Sequence, residues 1–553
     1  MGDKGNSEAT TRGPGCNEVQ LTDQTNLLPF KKILTCFMGL GLCVFISQMD
    51  AVIVATALPT ISTAFSAGSV SSWVPSAYLL TTTSFQPLYG RFSDIFGRKA
   101  TLTAAMLILV VGNLAAGFSQ SILQLIVLRG IAGAGGALFD LARGKYQGIM
   151  GSFIIFGYVM GPIIGGGLAQ KASWRWVFWI SAPMALCTIF VVNFILPLKP
   201  VQGNIKSKLL AIDYVGSVLS LGANALVILP IIWGGVTFPW NSAIVLATLI
   251  SGLLTWVLFI TWEWKGARLP IVPMHIFKHS TVCGVYIAMF INGLVVFSSM
   301  YYLPQFFQVA LGYTPIHAGV FLIPLFAGQE VISWMAGVIV TKTGRYRALI
   351  YSGFATWSLA CGLISTIKPH THQSVMVIFM LVASLGSGQT FQTTTVAAQA
   401  SVSRQDMSVV TAFRNFVRML GAVLALAIDA ALINNTLRSS MQALSLLEDI
   451  IKRVIDNPVL LSTPESISLS TEKATLILEQ GYTEGFRRVF ILNAVLTALA
   501  TVTSMLLIKH KNLTRDDEEG LRKEASGGKT GTTDDEKADG GEAGTSKIES
   551  ESN

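Results

Sequence analysis

The stretch ILTCFMGLGLCVFISQMDAVIVATAL, residues 33–58, decides the fold: 26 residues run on with a single charge, Asp50. A helix rising about 1.5 Å per residue needs roughly 20 apolar residues to cross about 30 Å of hydrocarbon, and a soluble core helix seldom needs that length unbroken. Similar blocks recur along the chain. Beyond Ile33–Leu58 they lie at Trp73–Tyr89, Ala100–Phe118, Ile122–Phe139, Tyr146–Leu168, Trp176–Leu196, Tyr214–Trp233 and Ile244–Trp262. Six more follow, at Cys283–Leu303, Ala318–Val340, Ala348–Ile367, Val375–Val396, Val409–Ile433 and Val489–Ile508. The expectation is an all-α integral membrane protein with about fourteen transmembrane helices.

Composition agrees. Of 553 residues 51% are hydrophobic and only 13% charged, with a mean hydropathy of +0.57, more apolar than a water-soluble globule of this length. The net charge of +8 does not imply nucleic acid, because the basic residues sit in short loops between apolar spans. One alternate set of loops holds Arg91, Arg98, Lys99, Arg143, Lys145, Lys199, Lys265, Arg268, Lys342, Arg345 and Arg347; the other short loops hold little beyond Lys171, Arg175 and Lys368. The basic set, with both termini, is expected to face the cytoplasm. Residues 1–30 precede the first span as a polar cytoplasmic segment, and that span is expected to act as its own uncleaved insertion signal. Residues 509–553 are too poor in apolar residues to bury a core and read as a disordered cytoplasmic tail. Gly528-Lys529-Thr530 there lacks the preceding glycine and strand of a phosphate-binding loop, so uphill work must draw on an ion gradient. The six cysteines are isolated, which supports neither a disulfide framework nor a metal site, and no cofactor motif is present. The histidines lack HExxH spacing, and no enzyme chemistry is indicated.

An internal echo divides the chain. Gly90-Arg91-Phe92-Ser93-Asp94-Ile95-Phe96-Gly97-Arg98-Lys99 follows the second span, and Gly337 to Gly344-Arg345 follows the tenth with the same glycine spacing and the same trailing arginine. Repeated halves with a substrate site between them are the usual build of secondary carriers. The expected layout is a six-helix bundle at 31–200, two inserted helices with linkers at 201–280, and a second six-helix bundle at 281–508 that contains an external loop at 434–488. In the first loop, glycines permit a tight turn and Asp94 can pair with an arginine or a helix end only while neighbouring helices are close. That makes Gly90, Arg91, Asp94, Gly97, Arg98 and Lys99 a candidate conformational latch; an ordinary cytoplasm-facing basic loop is the plainer reading.

This loop resembles the signature of the major facilitator superfamily. Met49-Asp50-Ala51-Val52-Ile53-Val54-Ala55-Thr56-Ala57-Leu58-Pro59 resembles the pattern of its fourteen-helix drug:proton antiporter branch. Gly157-Tyr158-Val159-Met160-Gly161-Pro162-Ile163-Ile164-Gly165-Gly166 is similar to the antiporter motif, and Trp174-Arg175-Trp176 through Ile180 fits the fungal toxin-efflux members. The resemblance covers about Lys31 to Lys509 and implies an exporter that rocks between inward-facing and outward-facing states. One departure stands out. Between the Gly133–Phe139 region and Arg143-Gly144-Lys145-Tyr146 only Asp140-Leu141-Ala142 intervenes, so roughly a dozen residues of the family pattern are absent, through a deletion or a mispredicted exon, although Ile122 to Ala142 still spans a bilayer.

Charges in hydrocarbon are costly enough to be functional candidates. Asp50, Arg129 and Glu330 are the proton-coupling candidates, since burial favours the neutral carboxyl and alternating water access can load and unload it. By the resemblance, Arg129 within Leu128-Arg129-Gly130 holds the proton-transfer position; Glu330 has no motif that assigns it a role and rests on its place inside a span alone. Arg414 and Arg418 lie nearer the cytoplasmic edge. Glycines at 157, 161 and 165 clear one helix face for close approach and Pro162 bends the span, which suits a seal or simply tight packing. Gln48, Gln86, Asn292, Tyr302, Gln305, Gln389 and Gln392 are substrate-cavity candidates as a group, although for any one of them a helix-packing hydrogen bond is the plainer reading. Asn434-Asn435-Thr436 is a glycosylation sequon at the membrane edge. The function expected is proton-coupled export of small organic compounds by a monomer in the plasma, vacuolar or vesicle membrane. The alternatives are import of a nutrient or siderophore complex, or a non-transporting membrane sensor.

Overall fold

The computed structural model describes residues 30–136, 147–195, 213–403 and 406–510, apart from positions 66, 68, 69, 72, 235–237, 268, 269, 463 and 468. The connector at 137–146, the N-terminal segment, the tail from 511 and its Gly528-Lys529-Thr530 lie outside the described residues, as do the side chains of Arg91, Asp94 and Arg98.

Every predicted span falls on a helix. They are α1 (Phe30–Phe65), α2 (Trp73–Phe96), α3 (Arg98–Gly117), α4 (Ile122–Gly136), α5 (Gln147–Lys171), α6 (Ser181–Phe190, entered by a turn at Trp176–Trp179 and continued by Val191–Ile195) and α7 (Tyr214–Trp233). The rest are α8 (Ala243–Lys265), α9 (Ser280–Val309), α10 (Ile323–Thr343), α11 (Arg347–Ile364), α12 (Gln373–Ala400), α13 (Met407–Ala443) and α14 (Glu484–Leu507). Ten of the described helices are long and apolar enough to cross a bilayer. The positions of α2, α4, α5 and α11 are helical without joining that ten; α4 has 15 described residues, and the remainder of its predicted span falls in the 137–146 connector. Much apolar surface points outward: on α8, Leu246, Ile250, Leu253, Leu254, Val257 and Leu258 are all exposed, an arrangement suited to lipid and prohibitive in water.

The boundaries have local causes. Asp213 accepts a hydrogen bond from the Gly216 amide and caps α7, and Ser242 does the same for α8 through Val245. Gly97 and Gly344, the paired glycines of the sequence echo, take φ of 88° and 68° in the turns joining α2 to α3 and α10 to α11. A side chain there would be strained, so glycine serves both turns, although Gly97 is extended at ψ 150° and Gly344 left-handed at ψ −3°.

Packing follows a pattern that the sequence order does not show. α1 lies along α5, α3 and α2 both lie on α4, and α6 packs on α3. Farther along, α9 lies on α13, α12 on both α10 and α11, and α14 on α9 and α11. The two sets meet where α2 touches α13 and α5 touches α10; the α7–α8 hairpin rests on α2, and its α7 also touches α13.

The α1–α5 seam is closely packed. A Cβ at Gly157 would meet the Phe45 carbonyl at 2.8 Å, at Gly161 the Val52 side chain at 2.5 Å, and at Gly165 the backbone of Ile53 and the Thr56 hydroxyl. Thr56 Oγ1 donates to the Pro162 carbonyl at 3.0 Å across the same seam. Replacing Gly165 by leucine should therefore separate α1 from α5 at a cost of more than the ~1–3 kcal/mol of ordinary overpacking, because backbone and not a yielding side chain stands in the way. A thermal-stability series on purified protein checks this: Gly165→Leu and Gly161→Leu should lower Tm markedly, whereas Gly167→Ala, with nothing within 4 Å of its Cβ, should leave it unchanged.

Candidate functional site

Five helices converge on one buried charge pair. Asp50 on α1 and Arg129 on α4 are both fully buried, with Nη1 of Arg129 2.8 Å from Oδ2 of Asp50. Arg129 Nη2 donates to the Asp50 carbonyl at 3.2 Å, so one guanidinium grips both the side chain and the backbone of α1. Asn113 on α3 bridges the pair: its Nδ2 donates to Asp50 Oδ1 at 2.7 Å, and its Oδ1 accepts from Arg129 Nη1 at 3.1 Å. The same amide donates to Ser181 Oγ at the start of α6, at 2.9 Å. The Tyr78 ring from α2 lies under the guanidinium at 4.2 Å and Phe178 at 5.6 Å, adding cation–π attraction in a dry setting.

The local sequence explains the convergence. Asp50 follows Ser47 and Gln48 on the one polar patch of an otherwise apolar span. Gly133 and Gly136, one and two turns beyond Arg129, bring α4 against α2 and leave their carbonyls to accept from Thr82 (2.9 Å) and Ser47 (3.1 Å). With the helices this close, a buried carboxylate and guanidinium can satisfy each other, which makes both tolerable away from water. Breaking such a pair by removing one partner costs about 3–5 kcal/mol.

The pair is wired to the other set of helices. Tyr301 on α9 donates to the carbonyl of Ala51, next to Asp50, at 3.1 Å. Beside it a void of about 20 Å³ is lined by Gln48, Gln86, Thr82, Phe297 and Met419, and so lies between α1, α2, α9 and α13. That is room for about one water, whereas organic ligands occupy roughly 300–1,000 Å³, so this void as it stands holds no organic substrate.

The predicted residues thus separate into groups. Asp50 and Arg129 meet; Glu330, part-buried on α10, belongs to neither this network nor any ion pair among the described residues. Gln48 and Gln86 share the void. Asn292 donates to Thr390 (3.3 Å), Tyr302 to the Leu426 carbonyl (2.9 Å), and Gln389 accepts from Ser352 (2.7 Å), all of which tie helices together. Gln392 is buried and Gln305 half-buried. Arg414 and Arg418 are buried rather than at an aqueous edge, both against the Phe391 ring. Of the latch, Lys99 donates to the Asn193 carbonyl at 2.6 Å, fastening the α2–α3 turn to the end of the sixth span. Sequence reading passed over Asn113 and Ser181. Their signal was present, since each is a polar residue inside an apolar run, but nothing in a single chain says which polar residues will face each other.

Comparison with known proteins now bears on this arrangement. The sequence profile of the Major Facilitator Superfamily matches residues 40–426. The chain belongs to the major facilitator superfamily. It is 34% identical over 432 residues, 76% of this chain and 74% of the other, to a Dothistroma septosporum protein named efflux pump dotC. It is 30% identical over 508 residues, 89% of this chain and 75% of the other, to citrate exporter 1 of Yarrowia lipolytica. Among solved structures, a bacterial homologue of the human lysosomal transporter Spinster superposes with a TM-score of 0.55 over 88% of this chain and 98% of that one, at 13% identity, a likeness of fold. As a major facilitator the protein is a multi-pass membrane transporter and not an enzyme.

Asn113 offers the sharpest check on the network, because it holds both charged partners at once. Charge-assisted hydrogen bonds are worth about 1.5–3 kcal/mol each, so Asn113→Leu should slow transport by at least about tenfold while Asn113→Asp, which also brings a second negative charge to Arg129, should shift the pH profile. Initial transport rates across a pH series for the two variants measure this.

Proposed function

We propose that this chain exports small organic compounds, a secondary metabolite, toxin or drug, in exchange for protons by alternating access. The observation that carries the reading is the Asp50–Arg129 pair, sealed from water yet one residue from the Tyr301–Ala51 contact that joins the two sets of helices. Relatives named as efflux pumps and an exporter support the outward direction.

A proton reaching Asp50 cancels the charge that fixes Arg129. The guanidinium then keeps Asn113, the Asp50 carbonyl and the Tyr78 and Phe178 rings, and the hold of α4 on α1 weakens. Because α1 carries Ala51 on one face and the α5 glycines on another, its movement loosens the Tyr301 contact and shifts the α5–α10 meeting point together. Proton release restores the pair and the starting state. One inward proton supplies about 2.3 kcal/mol per 100 mV and about 1.4 kcal/mol per pH unit, enough together to concentrate a neutral solute several hundredfold. In this account residues 31–200 and 281–508 are the two rocking bundles, 201–280 the inserted helices, and Gly90 to Lys99 the latch. The carrier works as a monomer in the plasma membrane with both termini cytoplasmic, and its substrate passes Gln48 and Gln86.

Efflux of fluorescent dyes from pump-deficient cells, with and without a protonophore, tests the reading. Efflux by the native chain should stop with the protonophore, and Asp50→Asn should lower the rate at least about tenfold, since an asparagine cannot exchange a proton. Efflux indifferent to the protonophore, or net accumulation of the dyes, would overturn it.

A further inference from the structure

A second carboxyl lies buried in the other set of helices, in circumstances opposite to those of Asp50. Asp429 on α13 is 0% exposed, and neither of its oxygens has a hydrogen-bond partner. The Ser298 hydroxyl of α9 is the donor that faces it, at a geometry short of a hydrogen bond. Ser298, itself fully buried, accepts from Asn493 Nδ2 of α14 at 2.8 Å, so three helices meet at the carboxyl. Tyr302 of α9 lies beside Asp429 but spends its proton on the Leu426 carbonyl, and buried Tyr482 from the segment Ile477–Thr483 stands next to Tyr302. No Lys, Arg or His among the described residues reaches Asp429: on the neighbouring ends Arg487 pairs with Glu484, Arg488 with Glu484 and Thr436, and His370 with Glu479. α7 and α2, which also touch α13, place no described charge against it.

A carboxylate sealed in protein with no donor at hydrogen-bond geometry and no counter-ion costs several kcal/mol, a cost that one bound proton removes. Asp50 avoids it with Arg129; Asp429 has no arginine. We infer that Asp429 is a second proton-carrying site, occupied by a proton in this conformation and unloaded when the α9–α13–α14 seam opens to water. It lies 15 residues beyond Arg414 along α13, about 22 Å at helical rise, toward the end that runs into the segment 434–488. This deepens the proposed proton-coupled export and rests on it for its use, since a carrier with one exchangeable carboxyl in each set of helices can move two protons per cycle. The presence of the proton itself does not depend on transport.

Infrared difference spectroscopy on the purified full-length protein in detergent tests this without a substrate. The carbonyl stretch of a protonated carboxylic acid should be present in the native protein at neutral pH, absent from Asp429→Asn and retained in Asp50→Asn. Ser298→Ala should shift the same band, so the assignment does not hang on one variant. The band should also move on transfer to deuterium oxide, as an exchangeable proton requires. A band unchanged in Asp429→Asn would mean that Asp429 is ionised, and a band that never moves in deuterium oxide would mean a permanently sealed acid; either overturns the proposal. If the band behaves as expected and dye efflux is nonetheless indifferent to a protonophore, the site stands and the export reading falls.

Discussion

Two opposite charges with no water between them constrain the first half of this protein. Once Asp50 and Arg129 are buried, each needs the other, because leaving either alone would cost more than most single contacts in a fold can return. From that follow the close approach of α4 to α1 and α2, the glycines at 133 and 136 that permit it, the asparagine placed between the partners, and the aromatic rings on the guanidinium. The α1–α5 glycine seam serves the same helix from its other side, so α1 is held by a charge on one flank and by close backbone contact on the other.

An arrangement of this kind is stable only while its charges are matched, and a proton is the smallest thing that can unmatch them. A hydrophobic core in the same place would hold the helices together at every pH. On the proposed reading the ion pair makes their association conditional, as a machine with two states requires. The small void between Gln48, Gln86, Phe297 and Met419 fits that picture, since α1–α2 and α9–α13 lie close around it among the described residues.

Much of this was legible in the sequence, for physical reasons. Apolar runs near the thickness of a bilayer can scarcely be anything but spans, and the Gly97 and Gly344 turns declared themselves because only glycine tolerates the backbone they need. Asp50 and Arg129 stood out because a charge in hydrocarbon is rare. Their union was not legible, nor was the part of Asn113, because facing across helices depends on rotation and packing that no single chain encodes by spacing. Glu330 and Asp429 are each a lone acid in an apolar run, and Asp429 shares its helix with Arg414 and Arg418, so sequence alone does not rank the two; in the fold Asp429 is fully shielded and Glu330 part-exposed. Burial separates those two acids, and burial is a property of the fold.

The most direct measurement is a double-mutant cycle on the central pair, reading Tm of the purified protein for Asp50→Asn, Arg129→Gln and the two combined. Each single variant leaves one charge or polar group stranded, and the combination strands neither. The account predicts that the double variant melts closer to the native protein than Arg129→Gln does. Losses that simply add would contradict it, because they would mean that the two residues do not hold each other in the folded protein.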